Sequence, residues 1–115
     1  MGMERIEKPW GHEIWWAVTD RYVGKILFVR AGQALSLQYH EQKSESMYCQ
    51  SGRGRLELDG VEHQLAPGAA YDIAPGVRHL LTADEDLTMV EVSTPELHDV
   101  VRLSDRYGRE GTSTP

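Results

Sequence analysis

GQALSLQYHEQKSESMYCQSG, residues 32–52, opens and closes on glycine and spaces three polar residues between them: Gln38, His40 and Glu45. In an extended strand successive side chains point to opposite faces. Gln38 and His40 therefore share one face, and Leu35, Leu37 and Tyr39 share the other. A short turn over Glu41 to Ser44 sends the chain back, so that Glu45 opens the next strand. A carboxylate then lies beside an imidazole and an amide oxygen. A fourth candidate stands downstream in APGVRH, where Pro75-Gly76 marks a turn and His79 begins the apolar run HLL. Taken singly, each of these residues has an ordinary role as a packed or solvated side chain. Jointly, two imidazoles, one carboxylate and one amide oxygen suit a borderline or hard divalent metal.

Working outward, EIWWAVT (13–19) and YVGKILFVRA (22–31) read as strands joined by a turn at Asp20-Arg21, with Gly24 a candidate bulge. RGRLELDG and VEHQL (53–65) form a hairpin turning at Asp59-Gly60. A short strand follows between two Pro-Gly turns in APGAAYDIAPG (66–76), then strands over 78–83 and 87–94 flank an acidic turn. ELHDVVRL (96–103) is expected as a last strand or one helical turn. Turn signals every eight to twelve residues, with no long helical period, predict an all-β sandwich or barrel. The expected layout is an N-terminal arm over 1–11, a β-barrel over 12–103 and a polar tail over 104–115 whose last residues are disordered.

With 115 residues the chain has room for one core and one domain. Its formal charge of −6 disfavours nucleic acid, whose phosphates need a basic stripe. The single cysteine, Cys49, excludes an intramolecular disulfide and a cysteine-based zinc knuckle, and its apolar strand predicts a buried, inert thiol. The opening MGMERIEKPWG has no apolar core for a signal peptide. No apolar run approaches a membrane span. Gly2 lacks the Ser or Thr of a myristoylation signal, so the cytoplasm is the expected location. Trp10, Trp15 and Trp16 are expected to pack in the core or at an interface. A homodimer through their strands is the expected assembly, because small all-β domains leave sheet edges that need cover. His12, His63 and His98 lie outside the pattern; His63 is expected at the surface and Tyr71 in the core.

The pattern G-x5-(H/Q)-x-H-x4-E-x6-G, followed by a Pro-Gly turn and a histidine, resembles the cupins, small all-β double-stranded β-helices of jelly-roll type. Gly32, Gln38, His40, Glu45 and Gly52 meet the first cupin motif; Gly68, Gly76 and His79 meet the second, with Ala74 and Ala83 at its Pro and Asn places. Within the cupins the chain is similar to the phosphomannose isomerase domain that ends bifunctional mannose-1-phosphate guanylyltransferase/mannose-6-phosphate isomerases. KPWG (8–11), LSLQYHEQKSE (35–45), APGVRHLL (74–81) and DRYGR (105–109) carry that likeness in order. Lys43 stands where that pattern has Arg, and Ser46-Met47 where it has His-Trp.

The resemblance implies one divalent metal ion on Gln38, His40, Glu45 and His79. Zinc is favoured, with manganese, iron, cobalt and nickel as alternatives. It implies aldose–ketose isomerisation of a sugar or sugar phosphate, with Lys43 and Glu45 in catalytic roles. Arg78, Arg53 and Lys25 are the further candidate anion contacts. Two rival readings stand beside it. His40, Glu45 and His79 alone suit an Fe(II)-dependent oxygenase, and the departures at Lys43 and Ser46 suit a non-catalytic sugar-binding module.

Overall fold

The computed structural model describes residues 3–112, and every regular element among them is a strand. In chain order these are β1 (Glu4–Lys8), β2 (Gly11–Val18), β3 (Val23–Val29), β4 (Leu37–Tyr39), β5 (Glu45–Ser51) and β6 (Gly54–Leu58). They continue with β7 (Val61–Leu65), β8 (Ala70–Ile73), β9 (His79–Ala83), β10 (Leu87–Ser93), β11 (Val101–Ser104) and β12 (Gly111–Thr112). All pairings are antiparallel. One sheet runs β1-β2-β3-β10-β5-β8, the other β12-β11-β4-β9-β6-β7. From β3 onward nearly every connection crosses from one sheet to the other, which closes the two layers into a jelly roll.

Alternation explains both the closure and the position of the site. On β5, β9 and β10 the buried residues fall at every second position: Glu45, Met47 and Cys49; His79, Leu81 and Ala83; Leu87, Met89 and Glu91. Each series is apolar toward one end of the barrel and polar toward the other. Leu56, Leu65, Leu81, Leu87 and Cys49 fill the apolar end, and burial of such side chains is the main stabilising term. Burial also pushes the Cys49 thiol up in pKa, in keeping with an inert packing residue. The polar end is where the candidate ligands collect.

Several boundaries differ from the sequence expectation. The opening stretch is more than an arm: Glu4–Lys8 pairs along β2, and Pro9-Trp10 forms the two-residue turn between them. Pro9 therefore forfeits no ladder bond, while Trp10 is buried in the core. The bulge lies on β2, where the register slips between Trp15 and Ala17. Gly24 lies opposite because the Trp16 ring covers it: a Cβ at Gly24 would stand 2.4 Å from that ring. Residues 96–100 form an irregular loop, and the last long strand starts only at Val101. The polar tail contributes β12, which pairs with β11. The disorder expected of the last residues, and the remark on Gly2, concern positions outside those described. Tyr71 packs against the core with His63 at 5.0 Å, so His63 is half-buried and not free at the surface.

Candidate metal centre

The short strand β4 delivers Gln38, and His40 follows it into the turn at 41–44. That turn is held from outside its own sequence. The Asp99 carboxylate accepts hydrogen bonds from the backbone N–H groups of Glu41, Gln42 and Lys43 at 2.9, 2.7 and 2.9 Å. The Gly76 N–H donates to the His40 carbonyl at 2.7 Å, which ties the Pro75-Gly76 turn to the same place. Cross-strand pairing then sets Arg102 opposite Gln38, and Gln38 opposite His79, in one row across β11, β4 and β9.

Glu45 Oε1 lies 3.2 Å from His40 Nε2 and 3.3 Å from His79 Nε2, and all three side chains are buried. Each imidazole spends its other nitrogen on the backbone. His40 Nδ1 contacts the Asp99 carbonyl at 2.5 Å, and His79 Nδ1 the Val77 carbonyl at 3.0 Å. A carbonyl can only accept, so both Nδ1 atoms carry hydrogen, and in the neutral rings both Nε2 lone pairs face the Glu45 oxygen. Three lone-pair donors aimed at one buried point repel one another unless a cation lies between them or a ring takes a second proton. The donor set thus suits a divalent ion, and the Nδ1 bonds are of the kind that orient metal-bound histidines. Gln38 stands slightly apart. Its Oε1 accepts from Ser36 Oγ at 2.9 Å, and its Nε2 is the atom 3.4 Å from His79 Nε2. Because a hydroxyl both donates and accepts, turning the amide over preserves the Ser36 bond and presents the oxygen as a fourth ligand.

Lys43, replacing the arginine of the resembled pattern, is buried with its ammonium between two carboxylates: 3.4 Å from Glu45 Oε2 and 3.2 Å from Glu91 Oε2. Burial alone pulls a lysine pKa down, but Glu91 and Glu45 outweigh it and raise this one. Burial opposes ionisation of Glu45 too, yet the Lys43 charge and the two imidazoles hold it well below the ordinary carboxylate range. Glu91 goes the other way, raised by burial and by the nearby Glu45 charge.

Lys25 is buried and lines the same cavity as His40, Lys43, Glu45 and Glu91. It pairs with Glu13 at 3.6 Å and lies over the Trp15 ring at 4.8 Å. Arg53 and Arg78 do not join it. Both side chains are exposed and neither lines the cavity. They stand at strand-joining turns, where their backbones serve as hydrogen-bond anchors for Asp84, Glu85 and Asp59. The sequence reading passed over Glu91, although its parity with Leu87 and Met89 marks it as an inward-facing charge. It also passed over Asp99, Lys8, Arg102 and Arg109. Asp99 gives no local signal, since its partners lie more than fifty residues away.

The Cupin domain family matches residues 25–93, and the chain belongs to the cupin family. Mannose-1-phosphate guanylyltransferase of Escherichia coli strain K12 is 33% identical over 109 residues, which is 90% of this chain and 23% of that one. This chain thus spans less than a quarter of the length of that relative. L-ectoine synthase of Hahella chejuensis is 36% identical over 62 residues, 52% of this chain and 47% of its own. Among solved structures, the Streptomyces nucleoside dehydratase Pac13 superposes with a TM-score of 0.77 at 17% identity, covering 90% of this chain and 86% of that one. At that identity the likeness is one of fold. No helix among the described residues is long and apolar enough to cross a membrane.

Proposed function

We propose that this cupin is a metal-dependent isomerase interconverting aldose and ketose forms of a sugar phosphate, with mannose 6-phosphate the first substrate to try. The observation that carries this reading is the convergence of His40 Nε2, His79 Nε2 and Glu45 Oε1 on one buried point beside a cavity rich in lysine and arginine. Gln38, His40, Glu45 and His79 would hold one divalent ion, zinc by preference, with manganese, iron, cobalt or nickel as alternatives. Such an ion, when bound, polarises a carbonyl oxygen and stabilises the enediolate formed when the adjacent carbon loses its proton.

Lys43 keeps Glu45 ionised and oriented. It acts as a positioning residue, because an ammonium clamped by two carboxylates releases its proton too reluctantly to shuttle it. Glu91, lining the same cavity with a raised proton affinity, is better matched to moving a proton between neighbouring carbons. Lys25 is retained as a substrate-facing cation; Arg53 and Arg78 are not. The relatives named for guanylyl transfer match over only a fraction of their length, so that reaction is no part of this proposal.

The test is metal content per chain in the purified protein and in His40→Ala, followed by conversion of mannose 6-phosphate to its ketose. About one ion per chain, lost in the variant, with measurable turnover supports the reading. Absence of turnover with all five ions at high protein concentration overturns it, and saturable sugar binding without turnover would then favour a binding module. One observation favours an oxygenase as second reading: with the Gln38 oxygen on Ser36, the inner set reduces to two histidines and a carboxylate. Oxygen consumption supported by iron but not by zinc identifies that outcome.

A further inference from the structure

The cavity is lined by charged side chains of both signs. Around the metal-ligating end, Glu45 and Glu91 flank the single ammonium of Lys43. The same cavity is lined by Lys8, Lys25, Arg102 and Arg109, brought together from β1, β3, β11 and the turn after β11, with Lys25 opposite Glu91 and Arg102 opposite Gln38 across the strands. Lys25 and Arg102 are buried, while Lys8 and Arg109 are half-buried. Arg109 is held by Asp105, whose oxygens accept from its Nε at 2.9 Å and its Nη2 at 3.1 Å.

These cations are close enough to work against each other. Burial first, and then Lys25, Arg102 and Arg109, depress Lys8; burial and then Arg109 depress Arg102. Glu13 and Asp105 are the carboxylates that offset them. Basic side chains drawn from four separate segments to one cavity suit a phosphomonoester, which carries about −1.5 to −2 at neutral pH. The row Arg102–Gln38–His79 gives the separation: two strand spacings, about 10 Å, the scale of a phosphorylated hexose.

We infer that Lys8, Arg102 and Arg109, with Lys25 beneath them, form an anion subsite that grips the phosphate of the substrate while its carbonyl end faces His40, Glu45 and His79. This deepens the isomerase reading and rests on it for the substrate, though not for the anion. The cavity holds about 50 Å³, and the half-buried Lys8 and Arg109 are the cations of this group nearest solvent. The forked pair with Asp105 fixes the orientation of Arg109.

The test uses the full chain and inorganic phosphate, with binding followed by phosphorus NMR and metal content measured alongside. Charge-assisted contacts contribute roughly 1.5–3 kcal/mol each, so Lys8→Gln and Arg109→Gln are each expected to weaken phosphate binding about tenfold or more. Arg53→Gln and Arg78→Gln serve as controls expected to change nothing, and metal content is expected to stay level throughout. If Arg109→Gln does not fold, Lys8→Gln, which breaks no ion pair, carries the test alone. Phosphate binding unchanged in Lys8→Gln, or weakened equally in the two controls, overturns the subsite. The two readings separate cleanly. Phosphate binding lost in these variants without sugar-phosphate turnover in the wild type leaves the subsite and removes the isomerase. Turnover with an unchanged KM in both variants does the reverse.

Discussion

At Glu45 one carboxylate meets two demands: Oε1 faces His40 and His79, and Oε2 faces Lys43. Lys43 in turn is the only ammonium within bonding distance of both Glu45 and Glu91 among the described residues. Lys43→Met keeps most of the buried volume but leaves two buried carboxylates without their shared counter-charge. Removing one partner from a buried ionic group costs about 3–5 kcal/mol, so urea unfolding of the metal-free variant is expected to lose stability on that scale. A loss below about 1 kcal/mol would show that water reaches the pair and that it behaves as a surface contact. The convergence of His40, Glu45 and His79 was legible because strand parity and turn signals are local. The charges around them were not: each is an ordinary residue in its own strand, and only the crossing of β3, β10 and β11 into one cavity gives them meaning. Arg53 and Arg78 misled for the same reason, since a position beside a motif residue says nothing about which way a long side chain leaves the barrel.

Among the elements, the loop over 94–100 does the most for the site. It carries no motif, yet Asp99 closes the 41–44 turn through three backbone N–H groups and orients His40 through its carbonyl. Asp99→Ala keeps the carbonyl and removes the side-chain acceptors, freeing the turn that carries His40 and Lys43. Supporting contacts of this kind are worth about 10- to 100-fold in metal affinity, and competition with a coloured chelator is expected to report a loss in that range. Burial opposes ionisation of Asp99, but the three N–H groups hold its pKa below the ordinary 3.8; Asp105, also opposed by burial, is lowered through Arg109. Depressed folded values mean that both carboxylates stabilise the fold above pH 3.8, and that this contribution is lost as pH falls through the folded values. The urea midpoint is therefore expected to drop on acidification from about pH 7 to about pH 3, and to drop less steeply in Asp99→Asn. Gly52, the closing glycine of the first motif, makes a backbone demand. Its φ is +87°, and a Cβ there would stand 2.1 Å from the Asp86 carbonyl oxygen. Gly52→Ala is expected to cost at least the 1–2 kcal/mol of a left-handed non-glycine residue, read as a lowered midpoint with unchanged slope. Strand identities were readable from alternation, whereas the β1 pairing was hidden because Pro9 reads as a terminator and serves instead as a hairpin turn.

At the scale of the whole molecule, the two faces of the first sheet are unlike the usual apolar-in, polar-out division. On its outer side Ile14, Ile26, Val90 and Tyr48 form one row across β2, β3, β10 and β5. Trp16, Tyr48 and Val92 are 44%, 49% and 48% exposed there. An apolar patch spread over four strands is a candidate interface. The body measures 33 × 27 × 25 Å, so one face is comparable with the ~800 Å² per partner that a stable interface buries. A second copy meeting this face sheet to sheet is the expected cover, and it places the Trp-bearing strands at a dimer interface. Sedimentation velocity is expected to show a dimer that dissociates on dilution. Tyr48→Glu and Val92→Glu set like charges across any symmetric contact and are expected to give monomers with native circular dichroism. A wild-type monomer at every concentration would refute the dimer. Dimers persisting in both variants would instead move the contact to the sheet edges at β1 and β8, where main-chain pairing could join two copies without this face.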